Sequence, residues 1–263
     1  MQDQPAPTYQ PRTPVPHSHP ASSIGNYPSL TDVFAPFDAI TEDQSFVVAQ
    51  LGQSLDGRIA TVTGESRWIN GGCALDHLHR IRARVDGVLV GIGTVIADDP
   101  QLTVRRVPGP SPARIVLDPR GRVPVDCRCL APAGERRILL RGEQGHPVPP
   151  GVEEIVVPAV QGRIPPRAIL AALHAAGLRR ILVEGGSHTI STFIEAGCVD
   201  RLHVLVAPMI IGSGKPALET TPIAALDRAL RPATRVVVLA DGDVLFDCDL
   251  RQNGPSARGG DPP

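Results

Sequence analysis

Apolar positions along this chain follow two periods. Short, nearly all-apolar runs at 46–51, 87–90, 114–117, 138–140, 155–157, 181–183 and 201–206 have the length and composition of strands buried on both faces. Between them, Ala74, Leu78, Ile81 and Val85 mark one face of a helix at helical spacing. Pro165 and Pro166 suit a first helical turn, which Ile169, Leu170 and Leu173 continue as far as Gly177. A further helix, carrying Ile190, Phe193 and Ile194, follows Gly185–Gly186. Val236–Val238 and Val244–Phe246 read as a closing antiparallel pair around Asp241–Gly242. Strands alternating with helices predict an α/β domain with a mostly parallel, mixed central sheet flanked by helices. No internal boundary is visible, so residues 45–251 are expected to form one domain.

The two ends differ from this pattern. Residues 1–40 hold Pro5, Pro7, Pro11, Pro14, Pro16, Pro20, Pro28 and Pro36. Proline at that density removes amide donors and blocks helix, which predicts a largely disordered N-terminal arm. Residues 1–27 are its free part, whereas Leu30, Val33, Phe34 and Phe37 can dock on the domain. His17 and His19 in the arm are read as isolated histidines. Residues 252–263 are Gly-, Pro- and Ser-rich, and a disordered tail is expected there.

Composition narrows the function. The chain has 263 residues, 42% hydrophobic and 20% charged, with a formal charge of −1, which describes a globular protein without the basic footprint of a nucleic-acid binder. Lys215 is the only lysine, so few sites can use an amine as acid, base or Schiff-base partner. Cys73, Cys127, Cys129, Cys198 and Cys248 include no Cys-x-x-Cys and no zinc spacing; Cys127-x-Cys129 reads as part of a connecting loop, and no metal site is expected. No apolar signal core follows Met1, and no run reaches the roughly 20 apolar residues of a membrane span. A cytoplasmic protein without membrane partner is expected.

The candidate chemistry gathers at strand ends. Gly91-x-Gly93-Thr94 follows one buried strand, and Gly185–Gly186–Ser187 follows another. Missing side chains let a dinucleotide backbone approach, and free amides at a helix start meet phosphate oxygens. Each is also compatible with an ordinary strand-to-helix turn; together, at one end of a parallel sheet, they make a crevice suited to a nucleotide. Glu184 puts a carboxylate at that strand mouth. Trp68 is either a core anchor or a ring lining a ligand site, and Arg82 either a surface arginine or an anion ligand.

In order and spacing, Ser54-Leu55-Asp56-Gly57, Gly64–Ile69, Arg82-Ala83, Val90–Val95, Asp98–Arg105, Ile181–Ser187, Val199-Asp200-Arg201 and Ala207-Pro208 resemble the reductase domain of riboflavin biosynthesis, over roughly Phe46 to Leu250. The resemblance implies a dihydrofolate-reductase-like fold and an NADPH-dependent reductase. Its substrate is a 5-amino-6-(5-phosphoribosylamino)uracil-type pyrimidine, whose ribosyl becomes ribityl by hydride transfer to C1′. It implies Asp98 and Glu184 as catalytic residues. Gly52, Trp68, Gly91, Gly93, Thr94, Asp98, Gly185, Gly186 and Ser187 are implied on the cofactor side, and Ser66, Arg82, Leu102, Arg105 and Glu184 on the substrate side. Arg120, with Arg122 second, follows the predicted strand ending at Asp118 and is the candidate for the cofactor's 2′-phosphate. A homodimer is implied as well. The chain departs from the family at Gln50, where many members carry a lysine; glutamine donates a hydrogen bond but supplies no proton from a cation. The zinc deaminase signature that accompanies this reductase in the bifunctional protein does not occur in these residues. Two other readings stand beside the reductase: a same-fold enzyme with a pterin- or dihydrofolate-like substrate, and a catalytically silent NADPH-binding protein.

Overall fold

The computed structural model describes residues 30–41, 43–142 and 147–251. The elements run α1 (Leu30–Asp38), β1 (Phe46–Ser54), β2 (Arg58–Thr61), α2 (Gly72–Arg82), β3 (Gly87–Gly91), α3 (Ile92–Asp98), β4 (Ala113–Leu117), β5 (Arg137–Arg141), β6 (Glu153–Val156), α4 (Pro166–Ala175), β7 (Arg180–Glu184), α5 (Ser187–Glu195), β8 (Arg201–Ala207), β9 (Gly214–Pro216), β10 (Ala233–Val238) and β11 (Val244–Asp249). A nine-stranded sheet has the order β10-β11-β8-β1-β7-β3-β4-β5-β6, and β2 pairs with β9 in a separate ribbon. The pairs from β8 to β6 are parallel; β11 joins β8, and β10 joins β11, antiparallel. The sheet is therefore mostly parallel and mixed, as the apolar runs predict.

Alternation along the central strands divides the core. Val47, Ala49 and Leu51 of β1, with Ile181 and Val183 of β7, pack against Ile169 and Leu173 of α4 and Ile190 and Phe193 of α5. Phe46 and Val48, with Leu182, pack on the other face against Ile81 of α2, Ile92 and Val95 of α3, and Phe34 and Phe37 of α1. Both faces of β3 and β4 are covered, so their sequences do not alternate: β3 reads as an unbroken apolar run, and β4 as one interrupted only by the buried Arg114. Each apolar residue at such a position contributes about 1.5–3 kcal/mol through burial.

Two expectations are corrected and one is refined. The docking expected of Val33, Phe34 and Phe37 is seen, and it comes with a helix, Leu30–Asp38, inside the Pro-rich segment. Apolar side chains at helical spacing outweigh the helix-breaking tendency of Pro36. The helix expected to reach Val85 ends at Arg82, with Val85 packing into the core from the following turn. The run at 155–157 is not a strand buried on both faces: β6 starts at Glu153 on the sheet edge, where both glutamates are exposed. The expected disordered segments at 1–27 and 252–263, with His17 and His19, lie outside the described residues. Among the described residues, no helix is long and apolar enough to cross a membrane.

Beneath α1 runs a buried polar chain. His77 Nε2 lies 3.0 Å from His203 Nδ1, and His203 Nε2 lies 3.2 Å from Asp247 Oδ1, which also accepts from the Arg201 guanidinium. Phe34 and Phe37 pack their rings on these two histidines. Burial first, and then the neighbouring His203, hold His77 at about 3, far below an ordinary histidine.

Candidate active site

Chain order reverses around β7, which lies between β1 and β3, and the carboxyl ends of these strands open into two adjoining clefts. β3 ends at Gly91 and β7 at Glu184, each turning directly into a helix. The turns are so close that side chains would collide. A Cβ on Gly91 would stand 2.5 Å from Thr189 Oγ1, and one on Gly186 2.9 Å from Thr94 Oγ1. Gly185 and Gly186 also adopt φ of +68° and +75°, which other residues rarely hold.

The first cleft, of about 530 Å³, is lined by Gly91, Gly93, Thr94, Gly186, His188, Thr189 and Thr192, together with Arg120, Arg122, Arg163 and Lys215. Asp118 accepts the Val123 amide at 2.7 Å and so fixes the turn that carries Arg120 and Arg122. Among the described residues, no acceptor engages the Arg120, Arg122 or Arg163 side chains. The glycine cradle and these three guanidinium groups suit an extended ligand with several phosphates. Ser187, at the start of α5 beside the junction of the two clefts, is buried, and among the described residues its Oγ has no hydrogen-bond partner.

The second cleft, of about 420 Å³, shares Thr94 and Gly186 with the first. It gathers Gln50, Gly52, Ser66, Trp68, His79, Arg82, Asp98, Arg105, Arg128, Glu184, Gly185 and Ser187. Trp68 is 71% exposed, so it is a cleft wall and not a core anchor. Gly52 leaves room for Asn70, whose Oδ1 would lie 1.9 Å from a Cβ there. Asn70 in turn bonds Asp243 and the Leu205 carbonyl, bracing the loop behind Trp68. Asp98 accepts from Ser66 Oγ at 3.4 Å, while its carbonyl accepts from Arg67 at 2.6 Å.

Arg82 is not a surface arginine, and it lines the second cleft. It is 4% exposed, and its Nε and Nη2 donate to the two Glu184 oxygens at 2.9 and 2.5 Å, with Nη1 donating to the Thr103 carbonyl. Two residues expected as separate substrate ligands thus form one neutral unit in the cleft floor. The Leu102 side chain is fully buried in the core, so only its backbone can face the cleft. Its φ of +61° turns the backbone so that Arg105, three residues on, reaches the cleft.

Arg105 and Arg106 part ways. Arg106 pairs with Asp76 at 2.6 Å outside the cleft. The Arg105 side chain has no acceptor among the described residues, and its amide donates to His79 Nδ1 at 3.1 Å. That bond leaves the His79 proton on Nε2. Burial, then the charge of Arg82, hold His79 at about 4, so it is neutral near pH 7. Partial desolvation and the Arg82 charge likewise hold Arg105 below an ordinary arginine.

Sequence reasoning passed over His79, Asn70, Arg128, Arg163 and Lys215. His79 falls one turn before the singled-out Arg82 on α2, a spacing that could have revealed it. Arg128 and Arg163 reach the clefts from connecting loops, where no local period reports direction.

Comparison with known proteins gives the family and the fold. The model of the RibD C-terminal domain matches residues 45–239. The chain is 35% identical over 179 residues to riboflavin biosynthesis protein RibD of Aquifex aeolicus, covering 68% of this chain and 50% of that protein. It is 38% identical over 175 residues to a 2,5-diamino-6-ribosylamino-4(3H)-pyrimidinone 5′-phosphate reductase of Methanothermobacter thermautotrophicus, covering 64% of this chain and 79% of the relative. The crystal structure of a diaminohydroxyphosphoribosylaminopyrimidine deaminase/5-amino-6-(5-phosphoribosylamino)uracil reductase from Thermotoga maritima superposes with a TM-score of 0.68 at 28% identity, over 80% of this chain and 58% of that one. The chain thus spans about half the length of the bifunctional relatives.

Proposed function

The chain belongs to the RibD C-terminal domain family, and from that premise we propose that it is an NADPH-dependent reductase of riboflavin biosynthesis, converting the ribosyl of a 5-amino-6-(5-phosphoribosylamino)uracil-type pyrimidine to ribityl. The observation that carries the reading is the junction of the clefts: Thr94 and Gly186 line both, so a dinucleotide lying along the first reaches the second. NADPH supplies the hydride that reduces C1′ once the ribose ring has opened.

The chain's residues do the positioning. The Gly91–Thr94 and Gly185–Ser187 turns approach the pyrophosphate, and Arg120, Arg122 and Arg163 favour a 2′-phosphate. Trp68 walls the nicotinamide end. Arg105 takes the substrate phosphate. Glu184, its charge balanced by Arg82, retains lone pairs for substrate hydroxyls, as does Asp98 beside Ser66. Holding the reacting atoms together is the protein's share of catalysis. A homodimer belongs to the same reading, supported by the edge strand β10, where Val236 and Val238 are 39% and 64% exposed. A cytoplasmic location goes with it.

Gln50 favours one second reading, a reductase of the same fold with a pterin-like substrate. Purified protein is incubated with NADPH and, in turn, the phosphoribosylaminouracil, its diamino counterpart and dihydrofolate, and loss of NADPH absorbance is followed. Turnover of either phosphoribosyl pyrimidine is expected. Turnover of dihydrofolate alone supports the second reading, and cofactor binding without any turnover overturns both.

A further inference from the structure

One pair of nucleophilic side chains lies outside both clefts. Cys127 and Cys129 flank Arg128 at the start of a 3-10 turn, Arg128–Leu130, and the Cys129 thiol donates to the Cys127 sulfur at 3.7 Å. Cys127 is 5% exposed and Cys129 is fully buried. Among the described residues no other two cysteine sulfurs come within hydrogen-bond distance. Cys198 donates to the Ala196 carbonyl at 3.6 Å, and Cys248 accepts from Thr234 Oγ1 at 3.5 Å.

The backbone of the turn holds the two sulfurs together. The Arg128 amide donates to Asp99 Oδ1 at 2.8 Å, and Asp99 sits in a left-handed conformation at the end of α3. The Arg128 and Ala131 carbonyls accept from Arg114 of β4 at 3.4 and 2.9 Å, and the Leu130 carbonyl accepts from Arg137 of β5 at 3.0 Å. Arg114 is 1% exposed, so the turn is tied to the sheet interior while Arg128 lines the second cleft. On a backbone fixed in this way, side-chain rotation is what brings two sulfurs in contact to the about 2.05 Å of a disulfide.

Their surroundings make the two thiols unequal. Burial raises a thiol and leaves it inert, as it does at Cys198 and Cys248. Cys127 is instead brought down from 9.0 to about 7, chiefly by the hydrogen bond from Cys129; the Leu130 amide adds to this, against burial and the Asp99 charge. Cys129, the donor of that bond and the more deeply buried of the two, is raised. Among the described residues no group of three or more His, Cys, Asp or Glu could hold a metal ion, so the two sulfurs belong to no such set.

We propose that Cys127 and Cys129 are an oxidisable dithiol, which hydrogen peroxide closes into an intrachain disulfide enclosing Arg128 of the cleft wall. The Cys127 thiolate attacks one peroxide oxygen and the O–O bond breaks. The departing hydroxide recovers the proton that the Cys127 thiol gave up and leaves as water, and Cys127 becomes a sulfenic acid. The Cys129 sulfur then attacks the Cys127 sulfur, the S–O bond breaks, and hydroxide leaves with the Cys129 proton as a second water. The two thiols lose two electrons and the peroxide gains them. A disulfide confined to so small a ring is of the labile kind that added thiols reduce again. None of this depends on the reductase reading.

The test treats the full chain with stoichiometric hydrogen peroxide, then denatures it and alkylates the remaining thiols. Two of the five thiols of the wild type are expected to escape alkylation, and dithiothreitol should restore both. Trypsin cuts after Arg128, so the peptides Val123–Arg128 and Cys129–Arg136 should stay joined until reduced. Cys129→Ser keeps a hydroxyl donor for Cys127 but cannot close the ring, so it should accumulate a sulfenic acid at Cys127 that dimedone traps. Cys127→Ser should show neither the adduct nor the link. A wild type that keeps all five thiols, or whose lost thiols map to other cysteines, overturns the proposal. So does a wild type in which the Cys127 sulfenic acid accumulates as it does in Cys129→Ser. If a serine variant fails to fold, the joined peptides of the wild type decide alone.

Discussion

Arg82 and Glu184 lie 102 positions apart in the chain and meet in a two-point ion pair at the floor of the substrate cleft. Removing one partner leaves the other buried without a counter-charge. Arg82→Met or Glu184→Gln alone is therefore expected to cost about 3–5 kcal/mol, and the two combined to cost much less than the single changes summed. Urea unfolding of the four proteins measures this, and additive losses would refute the coupling. Turnover should not return in the double variant, since the cleft floor has changed chemistry.

Arg105→Ala is expected to weaken substrate binding by about 2–3 kcal/mol and leave NADPH affinity nearly unchanged. Arg106→Ala should do little, because Arg106 is spent on Asp76 outside the cleft. Steady-state KM values with separate cofactor titrations check both; equal effects of the two changes would contradict the assignment.

Cofactor choice should depend on the first cleft. NADPH is expected to be preferred over NADH by roughly tenfold or more, and Arg120→Ala or Arg163→Ala to remove most of that preference by weakening NADPH alone. Arg120 packs against Gly162, where a Cβ would stand 3.0 Å from its Nη2, so Gly162→Ala should displace it and imitate the loss. Equal catalytic efficiency with both cofactors in the wild type sinks the idea.

Acid stability should reflect the buried histidines. His77 and His79 are held at about 3 and about 4, chiefly by burial, against 6.5 when unfolded. Burial depresses His203 as well. The unfolded chain takes up these protons first, so the stability is fully present above pH 6.5 and is lost as pH falls toward 4. Carboxylates such as Asp56, lowered to about 2 from 3.8, chiefly by its bond from Ser54, weaken the fold only at lower pH. His79→Gln keeps an acceptor for the Arg105 amide but does not titrate, so its urea midpoint should fall less steeply over that window. An unchanged slope would remove His79 as a source.

Gln50 sits in register with Glu184 of β7 and His203 of β8, and is 6% exposed. A lysine there would emerge beside the Arg82–Glu184 pair, so its desolvation is offset only as far as Glu184 is shared between the two cations. If ring opening lacks only a proton donor, Gln50→Lys should raise turnover of the phosphoribosyl pyrimidine, since a positioned acid contributes about 10²–10⁴-fold. Melting temperature is the control. An unchanged or slower rate in a stable variant moves weight to a different substrate.

The central sheet was legible because strands buried on both faces leave unbroken apolar runs, and the glycine turns because close approach permits no other residue. The edge β6 was misread, since an edge position shows in the fold and not in a short apolar run. Pro36 concealed α1, whose ordering comes from Phe34 and Phe37 meeting His77 and His203 far along the chain. The motifs that resemble the family named individual ligands, yet they did not disclose that Arg82 and Glu184 cancel one another. Leu102 occupies a motif position for its backbone turn, a distinction that residue identity does not carry. Arg128 lacked any signal, because its approach to the cleft is set by Asp99 and Arg114 and not by its neighbours in sequence.

The hold of Arg114 on the 128–131 turn bears on how this protein can be re-engineered. A loop secured only at its two ends is a replaceable cassette, open to grafting from a relative with another specificity. This one is riveted to the middle strands of the sheet through a guanidinium buried in the domain. A grafted loop that does not offer carbonyls at the same two places would leave buried Arg114 donors unsatisfied, with Glu135 as the ion-pair partner that remains. Alterations of substrate range in this wall are therefore confined to single side chains on a retained backbone, and loop transplantation has to carry its sheet anchor with it.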